Sequence, residues 1–353
     1  MHGSVYITNR DRHIMFYNGP VIYGGMFAVS KKKILVTYPL PEKGLQCLAN
    51  DFEVTIHREG SMSRESLLSI VADYDGILAA GIRMDAGLIR AADRLRIISV
   101  YGAGFDAIDI QAATKKGIVV ANIPDAVTDA TAEVAMGLML SVMRRITECD
   151  RALRQGDASR WGMMKNMGHV LYGKELGIIG MGRIGRAVAK RASAFDMRVS
   201  YYNRKRLDPV IEMELGAVYK RLDDLLKSSD VVTIHTPLTE ETHHLIGQRE
   251  LSLMKPTAYI INTSRGPVVE EEALVARLQQ GKLAGAGLDV YEREPVISPE
   301  LLKMDNVVLT PHIGTDATET RIHMAWECAR NILNFFNGRP PFHVVNSGIC
   351  QSK

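Results

Sequence analysis

Apolar residues in this chain fall into short unbroken runs, separated by longer stretches in which they recur every three or four positions. The first kind predicts strands buried on both faces of a parallel sheet, and the second the helices that cover it. Ile34-Leu35-Val36-Thr37 is the first run, and Pro39 and Pro41 turn the chain after it. Runs at 52–56, 76–80, 96–100 and 118–121 follow, with helical patterns at 63–72 and 86–92 between them. Pro124 interrupts the alternation, and 128–145 then reads as one long helix whose apolar face includes Ala132, Met136, Leu140 and Met143. Such a helix behind a proline suits a connector between domains. The second half repeats the scheme, with strands at 176–179, 199–202, 231–234, 258–262, 284–288 and 307–309. Helices are predicted at 183–194, 222–226 and 270–280, and an amphipathic helix at 318–336 is expected to run back to the first domain. The pattern predicts an α/β protein of two doubly wound, parallel-sheet domains of the Rossmann/flavodoxin-like kind.

One turn is more specific than the rest. Leu176-Gly177-Ile178-Ile179 runs into Gly180-Met181-Gly182-Arg183-Ile184-Gly185, and the helical pattern begins at once. Strand, glycines, helix is the order a dinucleotide pyrophosphate requires. Gly180 permits the tight turn, Gly182 lets the backbone approach the phosphates, and Gly185 lets helix pack on strand. Dinucleotide enzymes place an acid about 20 residues further on for the ribose hydroxyls. Here Asn203 stands at that tip (203 − 180 = 23), followed by Arg204-Lys205-Arg206. A carboxylate would repel a ribose 2′-phosphate, whereas arginine can hold one through paired charge-assisted bonds. NADP is therefore expected in preference to NAD, a solvated basic turn being the other reading of the same residues.

Composition narrows the class without naming a reaction. At 353 residues there is room for two domains with full cores. The hydrophobic share of 46% and charged share of 24% are those of an ordinary globular protein. A net charge of +3 implies neither a nucleic-acid nor a membrane partner, and no apolar run reaches spanning length. Cys47, Cys149, Cys328 and Cys350 show no C-x-x-C spacing, which argues against a metal cluster and a disulfide framework and fits a reducing cytoplasm. Residues 1–30 fit no element, lack a signal-peptide core and are expected to form an extension.

Chemistry is expected where strands end. Tyr101-Gly102-Ala103-Gly104-Phe105-Asp106 follows a strand directly, either as a tight turn or as a backbone surface for a ligand at the carboxyl edge. Arg265 leaves the 258–262 strand, Glu294 follows the 284–288 strand, and His312 leaves the last. Singly they read as a surface cation, a loop charge and a packed histidine. Together, on the edge where a nicotinamide belongs, they predict a catalytic site.

Taken together, Gly173-Lys174-Glu175-Leu176-Gly177, Asn262-Thr263-Ser264-Arg265-Gly266, Gly287-Leu288-Asp289-Val290, Glu294-Pro295, Thr310-Pro311-His312-Ile313-Gly314 and the crossing at 122–133 resemble the D-isomer-specific 2-hydroxyacid dehydrogenases. Within that family the glyoxylate/hydroxypyruvate reductases are the nearest in pattern, over residues 31–345. The resemblance implies a dinucleotide-binding domain at 128–314 inserted in a substrate domain of 31–127 and 315–350. It implies reversible NAD(P)H-dependent reduction of small 2-oxo acids, with Arg265, Glu294 and His312 as the catalytic triad. Thr263 and Asp289 would lie beside the nicotinamide, and His312 and Gly314 would also contact the cofactor. Arg183, Ile184, His235, Thr236, Pro237 and Thr242 would complete the cofactor's surroundings. Backbone N–H groups near Ala80, Gly81 and Ile82 would receive the substrate carboxylate, with Gly104 close by. A homodimer through the cofactor domain is implied, and no metal. Ala80 stands where phosphoglycerate dehydrogenases often carry arginine, and no regulatory domain is expected after 345, which weighs against a phosphorylated substrate. Glu294 stands where formate-oxidising relatives carry glutamine. The alternatives are a phosphoglycerate dehydrogenase-like enzyme and a corepressor-type, NAD(H)-sensing binding protein.

Overall fold

The computed structural model describes residues 31–348; the expectations for residues 1–30 and for Cys350 lie outside them. Two sheets are present, and every pairing within them is parallel. β1 (Lys32–Val36), β2 (Phe52–Ile56), β3 (Gly76–Ala79), β4 (Ile97–Val100) and β5 (Val119–Ala121) form the first, in the order β2-β1-β3-β4-β5. The second holds β6 (Glu175–Ile179), β7 (Arg198–Tyr202), β8 (Ala217–Tyr219), β9 (Val231–Ile234), β10 (Tyr259–Asn262), β11 (Gly285–Leu288) and β12 (Val307–Leu309). Its order is β12-β11-β10-β9-β6-β7-β8. The strands read as unbroken apolar runs because helices cover both faces: Ile34, Leu35 and Val36 are all fully buried. Strand order reverses between β1 and β3 in one sheet and between β6 and β9 in the other, the places where open α/β sheets leave a ligand crevice.

The long helix predicted at 128–145 is Thr128–Met143. It stops because Arg145 takes a left-handed φ of 56° and turns its guanidinium onto the buried Glu148, with both bonds at 2.6 Å. Ala132, Ala135, Met136, Met139 and Val142 of this helix enter the core of the seven-stranded sheet. The return helix Thr318–Phe336 buries Met324, Ala325, Cys328, Ala329 and Ile332 with Ile34, Val36 and Ile97 of the five-stranded sheet. The chain thus leaves the first sheet, builds the second, and comes back. None of the described helices is long and apolar enough to cross a membrane.

Beyond the predicted elements the structure adds β8 and the helices Glu42–Leu45, Ile110–Lys115, Ile146–Arg154, Pro209–Leu215 and Gln248–Leu253. These are short, and local caps define several of them better than any long period does. Asp109 accepts from the Ala112 N–H at 2.9 Å, and Asp208 from that of Val210 at 2.8 Å, with Pro209 pre-set in the first turn.

Candidate active site

The glycine turn follows β6 at the switch point of the larger sheet. Gly180 has a φ of +99°, and a Cβ there would stand 2.6 Å from the carbonyl carbon of His235, so no other residue fits. Gly182 faces open space and caps the helix Arg183–Ser193, leaving the first N–H groups without helical partners. A Cβ on Gly185 would lie 2.2 Å from the Gly180 carbonyl oxygen, which is the close helix-to-turn packing expected of it. An open approach over a helix N-terminus fits a pyrophosphate.

At the tip of β7 the side chain of Asn203 is already engaged, its Oδ1 accepting from the Met181 N–H at 2.7 Å and closing the glycine turn. Arg204 is ion-paired with Glu241, and Arg206 with Glu212 at 2.8 Å. Among the described residues Lys205 has no ion-pair partner. Arg183 pairs with Asp125, in the crossing between the sheets. The Thr242 hydroxyl donates to the Pro237 carbonyl at 2.6 Å and accepts from the Thr239 N–H at 2.8 Å, shaping the loop after β9.

A cavity of about 310 Å³ lies between the carboxyl ends of the sheets. From the smaller sheet it is lined by the turn from Ala103 to Asp106, and from the larger by residues that include Thr236, Pro237, Thr263, Arg265, Asp289, His312 and Gly314. Ile184 and His235 line it as well. His312 has a φ of 55°, in the left-handed region. Its Nδ1 lies 2.9 Å from Oε2 of Glu294, so Nε2 is the nitrogen left for a ligand. Glu294 sits behind the histidine. That hydrogen bond, with the glutamate's charge, raises the His312 pKa above its ordinary value, against burial and Arg265, which lower it. For Glu294, burial pushes upward, but the His312 contact, the Tyr291 N–H and Arg265 together bring it below the usual carboxylate range.

Asn262 and Asp289, both buried, and the half-buried His235 position the reacting groups. Asn262 accepts from Ser264 N–H and Oγ–H at 3.0 and 2.9 Å and donates to the Arg265 carbonyl at 3.0 Å, setting the loop that carries Arg265. Asp289 accepts from the Thr310 hydroxyl at 2.6 Å and from the N–H groups of Ile313 and Gly314, both at 2.8 Å. Burial raises its pKa despite these three donors. His235 is held between Thr233 Oγ1, 2.9 Å from Nε2, and Thr263 Oγ1, 3.4 Å from Nδ1. Burial lowers its pKa to about 3, so the ring stays neutral.

The loop expected to receive a carboxylate is arranged differently from the expectation in one respect. The Ala80 N–H donates to Thr37 Oγ1 at 2.9 Å and is not free for a ligand. The N–H groups of Gly81 and Ile82 have no partner among the described residues. The three residues stand at the end of β3 and outside the cavity, which Gly104 reaches. Two residues of the site are not evident as such from sequence, Asp106 and Asn262. Asp106 has a signal, an acid immediately behind two glycines at a strand exit; a buried asparagine at a loop start carries little.

A glycine turn at one switch point, facing a cavity lined by an arginine and a glutamate-backed histidine, defines a nicotinamide-dependent oxidoreductase. Residues 136–314 match the family model described as "D-isomer specific 2-hydroxyacid dehydrogenase, NAD binding domain". The chain belongs to that family. It is 45% identical to a glyoxylate reductase of Thermococcus gammatolerans over 329 residues, 92% of this chain and 98% of the relative. A solved structure from Thermus thermophilus superposes with a TM-score of 0.83 at 41% identity, covering 89% of this chain and 99% of that one. The NADPH-dependent glyoxylate/hydroxypyruvate reductase of Sinorhizobium meliloti, in complex with NADP and malonate, superposes with a TM-score of 0.80 at 32% identity, over 90% and 97% of the two chains.

Proposed function

We propose that this protein reduces glyoxylate, hydroxypyruvate and similar small 2-oxo acids to 2-hydroxy acids, with NADPH in preference to NADH. The observation that carries the reading is the His312 Nδ1 to Glu294 Oε2 contact of 2.9 Å, which leaves Nε2 toward a cavity that Arg265 also lines. Similarity to glyoxylate reductases supports the substrate class. Arg204 and Lys205 at the tip of β7, and a structural relative that binds NADP, support the cofactor preference. The domain of the seven-stranded sheet would hold the dinucleotide, over roughly residues 128–314, and the rest would hold the acid. The turn from Gly180 to Gly185 would cradle the pyrophosphate, with Thr263, Asp289 and Gly314 beside the nicotinamide. When bound, that cofactor supplies the hydride for the substrate's carbonyl carbon.

The chain's own residues account for the rest. Arg265 holds the oxo acid by its carboxylate and carbonyl oxygens, fixing the orientation of the reacting carbon. His312, protonated, donates from Nε2 to the carbonyl oxygen as it gains charge, and takes the proton back in the reverse direction. Glu294 stabilises the imidazolium and holds the ring. We also read the protein as a homodimer through the larger-sheet domain. Trp161, Met163, Met164 and Tyr172 are exposed on the segment before β6, and a dimer mass in light scattering tests the point. Unpaired thiols at Cys47, Cys149 and Cys328 suit the cytoplasm.

The test is a panel of 2-oxo acids with each cofactor, run beside His312→Ala. Glyoxylate or hydroxypyruvate should lead with NADPH, and the variant should lose about 100- to 10,000-fold in turnover. No turnover of either acid with either cofactor would sink the reading. Faster turnover with NADH would sink the preference alone.

A further inference from the structure

Arg265 does not stand free in the cavity. Its Nε donates to Oδ1 of Asp106 at 3.1 Å, and its Nη1 donates to the Ser264 carbonyl at 2.8 Å. Asp106 is 159 positions away in sequence and belongs to the other sheet's turn. Both side chains are about one-third exposed, 31% and 35%, so the pair is partly desolvated. The guanidinium also lies hard against the turn: a Cβ at Gly104 would fall 1.8 Å from Nη2. Any side chain there would push the guanidinium out of this position.

The turn is rigid enough to act as a reference. Asn122 Nδ2 donates to the Ala103 carbonyl at 2.7 Å, the Ile108 N–H to Phe105 at 2.9 Å, and the Met84 N–H to Ala107 at 2.9 Å. Guanidinium carries five N–H donors in one plane. With Nε bound to Asp106 and one Nη1 hydrogen to Ser264, the plane is fixed at two of its three nitrogens. What remains is the Nη1–Nη2 edge, a fork of two parallel donors that suits the adjacent carboxylate and carbonyl oxygens of an oxo acid.

We infer that Asp106 is a positioning residue for the reaction, one that acts through Arg265 by locking the guanidinium plane before the oxo acid arrives. This rests on the reading of Arg265 as the substrate clamp. A flexible arginine would lose rotamer freedom as it bound substrate, and an arginine held in advance loses less. The alternative role for the same carboxylate, competition with substrate for the guanidinium, predicts the opposite sign.

Four variants decide: Asp106→Asn, Asp106→Ala, Arg265→Ala and the Asp106→Ala/Arg265→Ala double. Each is assayed for glyoxylate KM and kcat at saturating NADPH, for NADPH Kd by nucleotide fluorescence, and for Tm. Asp106→Ala should raise KM about 10- to 100-fold, the range for loss of a charge-assisted hydrogen bond. It should change kcat less, and leave NADPH Kd and Tm near wild type. Asp106→Asn keeps an oxygen acceptor for Nε and should recover most of the loss. The double variant should be no worse than Arg265→Ala, because the two residues act as one unit. An impaired Arg265→Ala beside an Asp106→Ala with unchanged or lower KM, or fully additive losses, would overturn the role of Asp106 alone. A near-normal Arg265→Ala would instead remove Arg265 from the site, and the inference with it.

Discussion

Replacing Glu294 by glutamine removes a charge from behind His312 while keeping the size of the side chain. At an effective dielectric of about 20, unit charges about 4 Å apart attract by about 4 kcal/mol. The contact here is 2.9 Å, but His312 is 49% and Glu294 37% exposed, and solvent reduces the effect. Roughly 1–2 kcal/mol should remain, a factor of about 5 to 30 in the protonation equilibrium. The direction follows from the cause. Glu294 is the main reason that the His312 pKa is raised, so without it burial and Arg265, opposed only by the more distant charge of Asp289, lower that pKa. Reduction needs the imidazolium, so kcat/KM for glyoxylate should be level at low pH and fall as pH rises through the His312 pKa. In the variant the fall should begin at lower pH. The two profiles should coincide on the acid plateau and run parallel on the basic limb, about 5- to 30-fold apart. The assay is NADPH-saturated reduction from about pH 5 to about pH 9, with a deuterated cofactor to verify that chemistry limits the rate. Superimposable profiles would show that Glu294 does not set the protonation of His312. A loss equal at every pH would show that it merely holds the ring.

Two further outcomes test other parts of the site. Asn203→Asp combined with Arg204→Ala should weaken NADPH binding about fivefold and NADH binding little: Arg204 is exposed and paired with Glu241, so its contact with a 2′-phosphate is worth only about 1 kcal/mol; equal losses in calorimetric titrations of the two nucleotides would refute the role of the basic turn. His235, with a pKa lowered to about 3 by burial from the usual 6.5, binds its proton in the unfolded chain first, so stability is fully present above about pH 6.5 and is lost as pH falls toward 3. His235→Gln should flatten the decline of Tm over that acid range, and an unchanged slope would refute the assignment.

How far the sequence discloses this protein depends on whether a feature is local. β1, β9 and the return helix are legible because burial on both faces, or along one stripe, repeats within the element itself. The helix Ile110–Lys115 is not, since its six residues make fewer than two turns and its start rests on the Asp109 cap. The glycine turn is legible because each glycine answers a constraint a few residues away. That Asn203 replaces an acid is plain from spacing, but its bond to the Met181 N–H is not, because it depends on how two strand ends meet. Similarly, a close approach explains Gly104, and the group that approaches is Arg265 from the other sheet. Pattern shows where backbone must be special; it does not show what comes near.

The spacing of the reacting groups has a cause of the same long-range kind, and it is the sheet. Asn262 pairs with Leu288, and Leu288 with Leu309, so β10, β11 and β12 end level. The ladder continues one step past the strands: the Asp289 N–H donates to the Asn262 carbonyl and the His312 N–H to the Asp289 carbonyl, both at 2.9 Å. Arg265 and His312 therefore leave from positions two strand spacings apart, about 9–10 Å at the backbone. That gap is too wide for two short side chains to share one small substrate. An arginine can span it, but only if its length is controlled. The carboxylate that holds its Nε comes from the opposite sheet, where Asp106 stands beside a glycine that makes room for the guanidinium. The histidine is set from below by Asp289 and Glu294 and the arginine from across the cavity by Asp106, so the catalytic edge of the larger sheet is complete only with the smaller one in place.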